Sequence, residues 1–302
     1  MNLGIVNATP QLQKNTIWFS SVYHLETPKR KADKIGIKYV LKGCESYEVN
    51  GKIHDVRAGQ YLLINEGSDY YIHLSKEQLN EGLCLYVEKE SLQQAWYDLQ
   101  MDDKLLLDDA ITTASPEIHE LVYHTEEDIL GIVLKRLGET ALQHKGRLPH
   151  FGEEDYYRIA QKVAASQSGF ENKLRRLPVK NPSVQKEMYR RISTAQLFIE
   201  DKLYEPLSIE QLALVAQLSP FHFIRSFKQV YGSSPHQYII ERRLQEAMKM
   251  LQAKKNTISQ IAALCGFGDV FSFSKRFKKR YGVAPTYFIE KWTSSLNDNE
   301  TL

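Results

Sequence analysis

The chain writes nearly the same nine residues twice: FKQVYGSSP at 227–235 and FKKRYGVAP at 277–285. Comparison outward lengthens the repeat to SIEQLALVAQLSPFHFIRSFKQVYGSSPHQYI over 208–239 and TISQIAALCGFGDVFSFSKRFKKRYGVAPTYFI over 257–289. Ser208 matches Thr257 and Leu212 matches Ile261 at an offset of 49. Phe223, Phe227, Tyr231, Gly232 and Pro235 match Phe273, Phe277, Tyr281, Gly282 and Pro285 at an offset of 50, so the second copy carries one extra residue in its middle turn. Two copies fall short of the three or so that a stacked solenoid needs. The repeat predicts two similar supersecondary units instead.

Each copy parses as helix, tight turn, helix. Ser208 or Thr257 places a side-chain oxygen before an apolar run, as an N-cap does. Ile209, Leu212 and Val215 share one helical face, and so do Ile258, Ile261 and Leu264. After a short break, QLSP or CGFGD, Ser219 or Asp269 caps the second helix, with Pro220 at its first position in copy one. Phe223 and Phe227 lie four apart, as do Phe273 and Phe277, so each pair faces one core. Gly232 and Gly282 suit the left-handed cap that ends a helix. This is the plan of a DNA-binding helix-turn-helix, whose second helix enters the major groove.

The alternative is a pair of helical hairpins that merely pack together. Charge argues against it. Residues 188–292 hold 16 Lys/Arg against 8 Asp/Glu, whereas the rest of the chain holds 23 against 29, although the whole chain has a net charge of only +2. A basic end on an acidic body points to a polyanionic partner. Arg225 and Lys228, then Lys275, Lys278 and Lys279, fall on the outward faces of the second helices. Between the copies, HQYIIERRLQEAMKMLQAKK reads as one helix that holds two reading heads in register.

Residues 188–292 resemble the DNA-binding domain of the AraC/XylS family of bacterial transcription regulators. LSPFHFIRSFKQVYGSSPHQYI, RRLQEAMKML and IAALCGFGDVFSFSKRFKKRYGVAPTYF carry the resemblance. It implies two recognition helices in successive major-groove segments. Carried over position by position, the base-reading candidates are Phe221, His222 and Arg225 in the first helix, and Val270, Phe271, Ser272 and Lys275 in the second. Ser219, Lys228, Lys278 and Lys279 are the phosphate-binding candidates, which position a protein without specifying sequence. Phe221, Val270 and Phe271 stand where the family often has polar residues; they suit thymine methyls or plain packing. Lys275 stands where Arg is frequent and lacks the bidentate fork that suits guanine. Each of these cations has a plainer alternative as a solvated surface charge.

The first half reads differently. IGIKYVLKG, YEVNGKIHDV, GQYLLINEG and LCLYVEKE are short apolar runs between turn signals, within a strand-rich region spanning 15–90. Asn50-Gly51 is a two-residue hairpin signal. Helical patterns follow in SLQQAWYDLQ, EEDILGIVLKRLGETALQHK and EEDYYRIAQKVAASQSGFENKLRRL. The last spaces Tyr156, Val163, Phe170 and Leu177 seven apart, which fits either a dimer seam or an amphipathic helix packed on its own sheet. PVKNPS (178–183) reads as a linker. The strand spacing favours a sandwich or small barrel. With the cupin-like layout that the family resemblance implies for this half, the expected fold class is α+β: a cupin-like sensing domain over 1–150, built as a β-barrel or jelly roll with helices; a helix and linker with a candidate dimer seam over 151–182; and over 183–302 an all-α domain of two helix-turn-helix units joined by a linker helix.

Catalytic signatures are missing from the sequence. A cupin metal site calls for a His-x-His cluster, and the chain offers His54 and His73 in strands, with His24 outside them. No phosphate loop, GxSxG elbow or Cys-His pairing occurs. Cys44, Cys84 and Cys265 are too scattered for a disulfide framework or a CxxC site; they read as buried thiols in a reducing compartment, with a Cys44–Cys84 redox pair as a lesser alternative. A small barrel can still enclose one ligand, and Trp18, Tyr39, Tyr61 and Tyr71 are the candidate lining of such an effector pocket. The expectation is a cytoplasmic, dimeric, non-enzymatic regulator without cofactor or metal. Its partners are double-stranded promoter DNA, a small-molecule effector and, for an activator, RNA polymerase, with no membrane. The competing readings are a cupin-like small-molecule or metal enzyme with a helical appendage, and an architectural DNA-binding protein whose barrel is inert.

Overall fold

The structure is a computed structural model that describes residues 15–23, 25–74, 78–104, 118–126 and 128–289. The chain forms two compact units, Met1–Asn172 and Lys173–Leu302.

Unit 1 is built on two antiparallel sheets. Their strands are β1 (Thr16–Val22), β2 (Leu25–Glu26), β3 (Arg30–Lys31), β4 (Ile35–Lys42), β5 (Cys44–Val49), β6 (Lys52–Arg57), β7 (Gln60–Ile64), β8 (Asp69–Leu74), β9 (Asn80–Val87) and β10 (Val122–His124). One sheet runs β1-β9-β4-β7-β10; the other runs β2-β8-β5-β6, with β3 also paired to β8. The four apolar runs become β4, β5 with β6, β7 and β9. Asn50 and Gly51 both take positive φ between Val49 and its partner Lys52, as the hairpin signal requires.

Register fixes which side chains face which way, because paired residues point to the same side of a sheet. Across the first sheet, Trp18 pairs with Cys84, Cys84 with Lys38, and Lys38 with Leu62. This row faces the second sheet, where Leu62, Val40 and Ile64 pack against Tyr47, Val49, Val56 and Tyr70. The alternate row, Leu83–Tyr39–Tyr61–Tyr123, faces away from the second sheet. In β4 the residues of both rows are buried from Ile35 to Val40, which is why this strand lacks a clean apolar/polar alternation.

Helices α1 (Lys89–Lys104), α2 (Ile129–Gln143) and α3 (Glu153–Arg175) complete unit 1, α3 running into unit 2 in its last turn. Helix α2 lies close on β4 because Gly138 has no side chain: a Cβ there would sit 2.3 Å from Leu41 Cδ2. Asp128 caps α2, accepting from Gly131 N at 2.8 Å, and its other oxygen accepts from the Tyr61 hydroxyl at 2.6 Å and the Ser166 hydroxyl at 2.9 Å. One carboxylate therefore ties β7, α2 and α3 together. Of the four heptad positions, Val163, Phe170 and Leu177 are buried and Tyr156 is half-buried. The Phe170 ring meets Tyr123 edge-on at 5.9 Å and His119 at 4.5 Å.

Unit 2 is helical: α4 (Pro182–Asp201), α5 (Ile209–Val215), α6 (Pro220–Tyr231), α7 (Pro235–Ala253), α8 (Ile258–Leu264) and α9 (Val270–Tyr281). The linker segment is shorter than PVKNPS, since Asn181 already caps α4 and Pro182 begins it. The expected helical run beyond residue 289 lies outside the described residues.

Candidate nucleic-acid interface and sensor interior

The two repeats fold alike. Ser208 and Thr257 accept from Gln211 N and Gln260 N at 3.1 and 3.2 Å, and Ser219 and Asp269 accept from His222 N and Ser272 N at 3.4 and 2.7 Å. Gly232 and Gly282 close α6 and α9 at φ of 76° and 80°. The turns match too: Leu218 N donates to Ala213 O and Phe267 N to Ala262 O, each at 2.9 Å. The extra residue of copy two, Gly268, falls after this turn and before the Asp269 cap.

Inside each copy the aromatic stack is the same. Phe223 and Phe227 are fully buried with centroids 5.5 Å apart, and Phe273 and Phe277 are fully buried at 5.6 Å. Tyr231 and Tyr281 each lie 4.7 Å from the second phenylalanine. With the inner face of each second helix fixed this way, the outer face is set by the helical period.

That outer face carries the sequence candidates. Phe221, His222, Arg225 and Lys228 are exposed on α6; Val270, Phe271, Lys275, Lys278 and Lys279 are exposed on α9. Phe221 and Phe271, 69% and 78% exposed, are large apolar rings held in solvent at the start of each helix. Ser272 differs: it is half-buried and its hydroxyl donates to Asp269 at 2.7 Å, so that donor is committed to the cap. The Ser219 oxygen accepts a cap bond but leaves its hydroxyl proton free to donate. The sequence reasoning passes over Arg276, which is also exposed on α9. Its counterpart in copy one, Ser226, is buried, so the repeat itself hid the position.

Helix α7 joins the two copies and spends its own cations internally. Arg242 pairs with Glu200 at 2.9 Å, both largely buried, and Tyr238 donates to the same carboxylate at 2.8 Å. Arg243 donates to the carbonyls of Leu203, Gly266 and Glu205 at 2.7, 2.6 and 2.7 Å. Arg280 at the end of α9 pairs with Glu241 of α7 at 2.6 Å. Part of the positive charge counted in the sequence is thus structural, and the outward cations of α6 and α9 carry the rest of the argument for a polyanion.

In unit 1 the structure separates the four aromatic residues expected to line one pocket. Trp18 belongs to the inward row. Tyr39 and Tyr61 lie on the opposite face of their sheet, Tyr39 beside α2 at Gly138 and Tyr61 bonded to Asp128. Tyr71 pairs in register with Glu48, on the face of β8 opposite Tyr70, and its hydroxyl meets that carboxylate. The correction follows from a period-two strand: aromatic content alone does not say which face a residue takes. The inward aromatics are Trp18, Tyr47, Tyr70 and Tyr86, and among them stands Lys38, a buried lysine in mid-strand that the sequence analysis did not single out.

His54 and His73 occupy β6 and β8 on either side of β5, and His24 lies outside the described residues. Among the described residues no group of three or more His, Cys, Asp or Glu could hold a metal ion, and no helix is long and apolar enough to cross a membrane.

Comparison with known proteins agrees with both halves. The AraC-like ligand binding domain matches residues 23–133, and a helix-turn-helix domain matches residues 212–291. Over 91 residues the chain is 37% identical to "Probable transcriptional regulator LumQ" of Photobacterium leiognathi, covering 30% of this chain and 37% of that protein. Over 89 residues it is 36% identical to "Probable transcription factor PqrA" of Proteus vulgaris, covering 30% of this chain and 73% of that protein. A solved AraC-type transcriptional regulator from Chromobacterium violaceum aligns at 29% identity with a TM-score of 0.32, over 34% of this chain and 91% of that one. The chain spans 37%, 38% and 31% of the length of the first three curated relatives. Its N-terminal and C-terminal halves together place it: the chain belongs to the AraC/XylS family of transcription regulators.

Proposed function

We propose that the chain binds promoter DNA sequence-specifically through α6 and α9, under the control of a small-molecule effector in unit 1. One observation supports this above the others: two helix-turn-helix copies fixed by one linker helix, each presenting exposed cations and an exposed aromatic ring on its second helix. On this reading Arg225 and Lys275 reach base edges beside His222, Phe221, Val270 and Phe271, while Ser219, Lys228, Lys278 and Lys279 hold phosphates. Ser272 contributes through its cap rather than through a base. Residues 1–150 sense, 183–302 bind DNA and 151–182 join them; the protein acts in the cytoplasm as a homodimer and touches RNA polymerase where it activates. An effector shifts the regulator only as far as it prefers one arrangement over another.

The test is binding of the purified chain to its own upstream DNA and to scrambled DNA over a salt series. Preference for the upstream DNA near physiological salt, with a steep fall of log K against log salt from counterion release, is the expected result. Equal affinity for both DNAs, with and without cell extract metabolites, would overturn sequence-specific regulation.

A further inference from the structure

The two recognition helices of unit 2 are not equally armed. Residues 182–281 hold seven arginines. Arg190 and Arg191 are bonded to Glu187, Arg242 to Glu200, Arg243 to three carbonyls and Arg280 to Glu241. Among the described residues, Arg225 of α6 and Arg276 of α9 make no hydrogen bond or ion pair. Arg225 is already a base-reading candidate. The repeat does not account for Arg276, because its counterpart in copy one is Ser226, only 4% exposed.

Helical geometry places Arg276. Phe273 and Phe277 are fully buried and set the inward direction of α9. At about 100° per residue, Lys275 points outward, Lys278 lies about 120° from the core direction on one flank, and Lys279 and Arg276 lie about 140° and about 80° from it on the other. All four are exposed. On α6, the same construction from Phe223 and Phe227 puts Arg225 outward and Lys228 on the first flank. The second flank there carries Ser226, which is buried, and Gln229, which is half-buried with its side-chain oxygen closed off from solvent. Helix α4 packs against α6. Thus α9 carries cations on both flanks and α6 on one.

An α-helix with its side chains is about 10–12 Å across, and the major groove is about 12 Å wide. A helix seated there meets bases with its outward face and a phosphate backbone with each flank. We infer that Arg276 holds a phosphate on the strand opposite the one that Lys278 holds, so that α9 straddles the groove while α6 is held from one side. This rests on the DNA-binding reading above and adds to it a residue and a strand. A guanidinium suits the task because its fork engages two phosphate oxygens at once. On the flank it is turned away from the base edges that Lys275 faces. The second repeat is on this assignment the stronger electrostatic anchor of the two.

The experiment uses the full-length protein, the upstream duplex and its scrambled counterpart. Arg276→Gln should reduce the magnitude of the salt slope by about 0.9 on both duplexes, the release of one phosphate's counterions, and leave the ratio of the two affinities unchanged. Arg276→Lys should keep the parent's slope, since it keeps the charge. The strand is read with upstream duplexes that carry one uncharged methylphosphonate at a time. A position that weakens the parent but not Arg276→Gln marks the phosphate that Arg276 holds. The same comparison with Lys278→Gln should mark a phosphate on the other strand. A slope unchanged by Arg276→Gln would make Arg276 a solvated surface charge and overturn the contact. A changed affinity ratio would make it a base reader, and two marked phosphates on one strand would remove the straddle; either result overturns the assignment. If the parent itself does not prefer the upstream duplex, sequence-specific regulation falls, while the slope of Arg276→Gln still decides the contact.

Discussion

Arg243 donates a 2.6 Å hydrogen bond to the carbonyl of Gly266, joining the linker helix to the turn of the second repeat. The same guanidinium reaches back to Leu203 and Glu205, just before the first repeat. One side chain thus spans the connections that set α6 and α9 in register. Gly266 accepts the contact in a conformation other residues avoid: its φ is +73°, and a Cβ would sit 2.6 Å from the Tyr204 carbonyl.

Arg243→Met should therefore destabilise unit 2 by about 2–3 kcal/mol, because three carbonyls lose a charged donor. Arg243→Lys should recover little, since an ammonium lacks the planar fork that serves three acceptors at once. Denaturant unfolding of the full chain, followed through the helical signal, measures both. Loss below about 0.5 kcal/mol, the usual range of a plain surface change, would show that the turn holds itself.

Phe221 and Phe223 lie two residues apart on α6 and should behave oppositely. Phe223 is fully buried, so Phe223→Ala should cost about 3–5 kcal/mol in stability. Phe221 is 69% exposed, so Phe221→Ala should change stability by no more than about 0.5 kcal/mol while weakening upstream-DNA binding. Unfolding curves and DNA titrations on the two variants separate core from reading surface. DNA affinity unchanged in Phe221→Ala would remove that ring from the interface.

Arg225 and Lys278 test the division between reading and positioning. Arg225→Ala should cost about 1–3 kcal/mol on the upstream sequence and relax the preference over scrambled DNA. Lys278→Ala should weaken both DNAs alike and reduce the magnitude of the salt slope by about 0.9. A uniform loss with Arg225→Ala would move that residue to the phosphate group.

Much of unit 2 was legible in the repeat because its signals are local. Ser208, Ser219, Thr257 and Asp269 cap helices within three residues of themselves, and Gly232 and Gly282 end them through their own backbone. Arg243 was illegible by contrast: its acceptors lie 23, 38 and 40 residues away, and in sequence it is one more cation in a basic helix. The same distinction holds in unit 1. The strands of β4, β7 and β9 showed in their apolar runs, but a strand buried on both faces loses the alternation that tells inside from outside. Tyr39 and Lys38 are neighbours with opposite directions, and only the register with Leu83 and Cys84 separates them.

Glu187 gives a pH dependence with a definite sign. Its carboxylate accepts from Arg190 at 2.8 and 2.7 Å and from Arg191 at 2.8 Å, and these bonds, Arg190's first, hold its pKa at about 2 against an ordinary 4.5. A carboxylate whose folded pKa is depressed contributes its full stabilisation above the unfolded value and loses it as pH falls toward the folded one. The window here runs from about 4.5 down to about 2. The group is 42% exposed, so water and salt screen the contribution and it stays small. Glu187→Gln keeps the shape and removes the titration. The parent should be the more stable at pH 6, and the difference in Tm should narrow steadily from pH 4.5 to pH 2 and shrink in high salt. A difference that holds constant across that range would assign the effect of Glu187 to neutral hydrogen bonding instead of charge.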